Sequence, residues 1–187
     1  MLVGTAPTVE SVHIFGVNHF LQRVAPNCFT PVGCADEAEQ KAGFRAALEE
    51  IITRIQVGLI AEEEKPDCRN LGAVLAYEHR TAYIELTMPI VERERCGIRT
   101  PGYDQHPDTR AHAYQEFERY MSERIAAVDA RVSLVICGRR HMRGLEQRFA
   151  GSGIVVFMYD VYDYEWYRGV PHEDGVNVIG YEREDEG

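Results

Sequence analysis

No stretch of the chain approaches the roughly 20 consecutive apolar residues that a membrane-spanning helix needs, so a membrane-embedded protein is not expected. Positive charge is also scarce. With 20 Lys and Arg against 30 Asp and Glu, the net charge is -10, which argues against nucleic acid as the main partner. Cysteine pairs are missing: Cys28, Cys34, Cys68, Cys96 and Cys137 form an odd set without a CxxC. That pattern fits reduced thiols better than a disulfide framework or a zinc ribbon. The opening residues MLVGTAPTVESVHIFG carry neither a basic leader nor a long apolar run, so a cytoplasmic location is expected. No repeat array or low-complexity linker interrupts the chain, and 187 residues favour one domain with a substantial core.

What is present is an alternation of strands and helices. Apolar runs at 11–15, 57–64, 81–87, 131–138 and 153–160 have the length and composition of buried strands. Between them, Asp36 and Glu39 have the form of a capping box, and Phe44, Leu48, Ile51, Ile52 and Ile55 recur at helical spacing. Residues 69–79 read as a second helix. A long third helix starts at Asp108 or Thr109 with Ala113, Phe117, Met121, Ile125 and Val128 as its buried stripe, and HMRGLEQRFA reads as a fourth. Such alternation implies an α/β fold, an open and mostly parallel sheet of about five strands with helices on both faces. The domain is expected over 1–160, with an acidic, aromatic C-terminal extension over 161–187. Residues 88–107, rich in Pro, Gly and Arg, read as one long irregular segment.

Polar groups at the C-terminal strand ends of such a sheet share one edge, where ligands bind. His19 follows the first strand in GVNH and His141 follows the fourth in GRRH. Glu62, Glu63 and Glu64 end the second strand, and Glu85 lies late in the third. With 16 glycines and 7 histidines in the chain, about 0.6 GxxH matches arise by chance, and a third match, GVPH at 169–172, follows no clear strand. The shared strand-end context therefore carries more weight than the motif. Glycine there is expected to let the backbone turn sharply and approach a ligand. Two imidazoles and a carboxylate suit a divalent ion, whose bound water becomes a nucleophile near neutral pH. Glu63, if it points into the crevice, can accept the proton.

Two strand-end GxxH motifs around a strand ending in glutamate resemble the TraB/Tiki group, within the superfamily that includes ChaN-like and erythromycin esterase-like proteins. The resemblance spans residues 11–160 in order and spacing. It implies an α/β domain and, in its Tiki-like form, metal-dependent proteolysis by His19, Glu62 and His141; the cofactor expected is a divalent ion, Mn, Co or Zn. Its erythromycin esterase-like form implies a histidine base without metal, and its ChaN-like form implies a non-catalytic haem-like binding protein.

The expectation is a small hydrolase, with a peptide or small-molecule substrate and a possible homodimer. His19, Glu62, Glu63 and His141 are the catalytic candidates, and His19, Glu62 and His141 the metal candidates. Arg139, Arg140, Glu85 and Arg119 are candidates for substrate contact, each also readable as a surface charge or, for Glu85, an exposed strand position. On the long helix, Glu118 or Arg119 is the residue that can reach the site. Arg93, Arg95 and Arg99 can close over an anion or stay solvated, and His106 and His112 read as surface residues. The aromatic run YDVYDYEWYRG reads as packing against the body or as a subunit contact.

Overall fold

A computed structural model describes residues 9–22, 37–63, 70–98 and 106–167. Five strands, β1 (Ser11–Val17), β2 (Leu59–Glu62), β3 (Ala82–Glu85), β4 (Val132–Gly138) and β5 (Val155–Asp160), form one sheet in the order β3-β2-β4-β1-β5. Every pairing is parallel, so the expected open α/β architecture is the one observed.

The helices are α1 (His19–Gln22), α2 (Glu37–Ile55), α3 (Leu71–His79), α4 (Ile90–Arg95), α5 (Pro107–Ala126) and α6 (Met142–Gly151). From β1 to β3 the chain steps towards one edge of the sheet, and α2 and α3 cover one face. Phe44, Leu48 and Ile51 of α2 and Leu71 and Leu75 of α3 pack there on Phe15, Ile60, Leu134 and Ile136. From β3 to β5 the chain steps back, and α5 and α6 cover the other face. Phe117, Met121 and Ile125 of α5 and Leu145 and Phe149 of α6 bury Ile14, Ala61, Val135 and Cys137. Right-handed crossovers produce this division, because reversing the direction of travel moves the connecting helix to the opposite face.

The sequence-based boundaries shift in three places. Residues 88–107 are not wholly irregular, since they contain α4, and α5 begins at Pro107, where the His106 side chain accepts from the Asp108 N–H. Residues 161–167, expected in the C-terminal extension, pack on the domain. Tyr164 stacks on Phe15 at 5.3 Å between ring centroids, Trp166 packs on Phe44, and Tyr167 is buried in the same core. Asp36, Glu64, Arg99 and the GVPH motif lie outside the described residues. No helix among the described residues is long and apolar enough to cross a membrane.

Candidate active site

The connections leaving β1 and β2 turn to the α2/α3 face, whereas the connection leaving β4, which lies between them, turns to the α5/α6 face. That divergence opens a crevice above the C-terminal end of β4, the place where open α/β sheets bind ligands. A cavity of about 300 Å3 occupies it. Its walls come from the ends of β1 (Val17, Asn18, His19), β2 (Glu63) and β4 (Gly138 to His141), closed by Met88, Arg93, Tyr114, Phe117 and Tyr162.

Glu63 is the hub. Its backbone N–H extends the ladder by donating to Ile136 O at 2.8 Å, which swings the side chain over β4. There the Gly138 N–H donates to Oε2 at 2.9 Å, and His141 Nε2 lies 3.3 Å from Oε1. His141 is buried edge-on against the Tyr114 ring, with its Nδ1 3.5 Å from Glu118 Oε1. That contact is a charge attraction without hydrogen-bond geometry. Burial opposes a charged imidazole, but Glu63 and Glu118 outweigh it and raise the His141 pKa to about 10. Burial likewise opposes ionisation of Glu63, and His141, His19 and the Gly138 N–H together bring it down to about 2. The result is an imidazolium held between two carboxylates.

His19 opens the four-residue helix α1 and is exposed to the cavity. Its Nδ1 lies 2.7 Å from Gln22 Oε1. The Gln22 amide nitrogen faces two acceptors, Glu63 O at 3.0 Å and Glu62 Oε1 at 3.4 Å, so the amide oxygen must be the end that meets His19. An oxygen can only accept, so Nδ1 carries the proton. In the neutral ring this leaves Nε2 as the basic atom.

The two motif glycines do not make turns. Gly138 has φ -57° and ψ 136°, which any residue adopts, and Gly16 lies inside β1. Both clear space instead. A Cβ on Gly138 would stand 3.0 Å from His19 Nε2 and 3.6 Å from Glu63 Oε2, and one on Gly16 would run into the Met142 sulfur.

The structure thus brings His19, Glu63 and His141 together, but not Glu62. One residue earlier in the strand, Glu62 points to the opposite face and is fully buried. It accepts from Tyr83 OH at 3.4 Å and from Gln22, below the cavity floor. Among the described residues, Gln22 links it to the site. Glu85 pairs in register with Glu62 and does not line the cavity. Arg119 is committed to Glu116 and Glu123, both at 2.9 Å, outside the cavity. Tyr114 and Phe117 are the α5 residues that line the cavity, and Arg119's neighbour Glu118 lies behind them against His141, where Gly144 of α6 makes room for its carboxylate. Arg139 forms a bidentate pair with Asp160 at 2.6 Å and lies 4.0 Å above the Tyr162 ring, so it props the wall. Arg140 lines the cavity, bonded to Tyr114 OH at 2.6 Å.

The expected metal set does not fit. Both nitrogens of His141 face carboxylates, Glu62 is turned away, and no three His, Cys, Asp or Glu side chains among the described residues are disposed to hold one ion. Cys137 does not suit the role of nucleophile, because burial pushes its thiol well up. Compared with known families, curated proteins and solved structures, the chain matches none, so the resemblance to the TraB/Tiki group rests on the motif residues alone.

Proposed function

We propose that the chain is a small hydrolase that activates water by acid–base chemistry, with His19 as general base. The observation that carries this reading is the convergence of His19 and Glu63 over Gly138 at the wall of the cavity. A water donating one hydrogen to His19 Nε2 and the other to Glu63 Oε2 presents its oxygen lone pair to a carbonyl in the cavity. Attack transfers the first proton to Nε2, and the resulting imidazolium returns it to the leaving group. Glu63 stays ionised throughout, fixed by the Gly138 N–H and by His141, so it orients the water and stabilises the charged His19. His141 is a positioning residue for Glu63, and Gln22 is one for His19.

The cavity lies at the small end of the range for ligand sites, and its walls add charged and polar groups to Val17, Met88 and Phe117. Those walls suit a small polar ester or amide better than a broad apolar macrocycle such as haem. The test is a panel of chromogenic esters and amides, run on the wild type, His19→Ala and Glu63→Gln. An activity that each variant lowers by about 10²-fold or more supports the reading. Turnover indifferent to both variants sinks it. Activity lost on dialysis against chelator and restored by Mn, Co or Zn would replace acid–base with metal chemistry.

A further inference from the structure

The charges around the cavity are unequally partnered. Glu63 faces His141, and Arg139 faces Asp160. Arg93 and Arg140 line the same cavity, yet neither has a carboxylate partner among the described residues. Counting Glu118 as the second carboxylate on His141, the two arginines still leave one positive charge in excess among these groups, against the overall sign of a chain with net charge -10.

Each arginine is also held in place. Arg93 on α4 donates from Nε to Met88 O at 2.8 Å, and its guanidinium carbon lies 5.4 Å from the Phe117 ring centroid. That tether occupies Nε and leaves the two terminal nitrogens available. Arg140 uses one terminal nitrogen on Tyr114 OH and keeps the other, together with Nε. A guanidinium anchored at one nitrogen loses less freedom when it grips an oxyanion, and its planar fork matches carboxylate and phosphate oxygens. The other cavity arginine, Arg139, is excluded from this role by its bidentate pair with Asp160.

We infer that Arg93 and Arg140 form an oxyanion-binding subsite, so that the substrate is a small molecule carrying a carboxylate or phosphate beside its scissile bond. The inference rests on the reading of this cavity as the site of reaction, and it adds the substrate's charge. The subsite explains why α4 lies against the cavity: it delivers Arg93 to a wall that the strand ends alone do not complete.

The test is calorimetric titration of inorganic phosphate and, separately, of succinate into the full chain. The wild type is expected to bind at least one of them, and the preferred anion tells a phosphorylated substrate from a carboxylated one. Arg93→Gln and Arg140→Gln should each weaken that binding about tenfold. Arg54→Gln, an exposed site on α2, should leave it unchanged. Circular dichroism checks that each variant is folded, and testing the two arginines separately keeps the outcome readable if one variant fails. Wild-type binding of neither anion at about 10 mM, or equal binding by both Arg→Gln variants and the wild type, overturns the inference. Because titration needs no turnover, its result is independent of whether the hydrolase reading survives.

Discussion

The charged stack Glu63–His141–Glu118 makes stability depend on pH in a way that one substitution should erase. His141 is raised in the folded state above its ordinary value, so it contributes stability that is complete below about 6.5 and is lost progressively as pH rises through about 10. Glu63 is lowered, so its contribution is complete above about 4.5 and is lost as pH falls through about 2. The two describe one shared interaction and are not added. Together they place the maximum of this contribution between about 4.5 and 6.5. Replacing His141 by Gln removes the cation while its two carboxylate neighbours, 3.3 and 3.5 Å away, remain. Breaking a buried pair in this way costs about 3–5 kcal/mol, a large part of a small domain's total stability. Urea unfolding of the wild type and His141→Gln, from pH 5 to pH 10, gives the measurement. The cost should be greatest near pH 5–6 and shrink as pH rises towards 10, because the wild type loses its imidazolium over that range. Parallel stability profiles for the two proteins would refute the reasoning.

Gly138→Ala should leave stability unchanged or raise it by a few tenths of a kcal/mol, since its backbone angles suit alanine. Hydrolysis should fall by up to about 10²-fold, because the new methyl displaces His19 Nε2; thermal unfolding alongside kinetics separates the two effects. Gly16→Ala should do the reverse and destabilise by about 1–3 kcal/mol through overpacking against Met142, and adding Met142→Ala should recover part of that loss in denaturant unfolding. Gln22→Leu should release the His19 tautomer, visible as altered imidazole nitrogen shifts by NMR, and the pH profile of hydrolysis should move with it; unchanged shifts would remove Gln22 from its positioning role.

Most of the architecture was legible because strand and helix periods differ and each element buries a face. All five strand positions could be read from the apolar runs, including β5, although its exposed Val155 and Phe157 show that it is only partly covered. The short helices α1 and α4 could not be read that way. Each is too brief to display a period, and α4 buries none of its residues.

At the site, legibility ended at the scale of one residue. Three consecutive glutamates end β2, and a single step along a strand exchanges one face of the sheet for the other. Whether Glu62 or Glu63 faced the crevice therefore depended on strand phase, which a run of identical residues conceals. Glu62 shares the face of Ile60 under α3, and Glu63 follows the last ladder bond onto β4. The choice between Glu118 and Arg119 was different, because a signal existed. Glu118 stands three residues before Met121 and seven before Ile125, on the buried stripe of α5. Its charge disguised it as a surface residue. A carboxylate on an apolar stripe needs a cation, a proton or hydrogen-bond donors beside it, and in the structure the neighbour is His141. That pairing is why His141 is proposed as a positioning residue and not as the base: the same two carboxylates that hold it in place favour its protonated form.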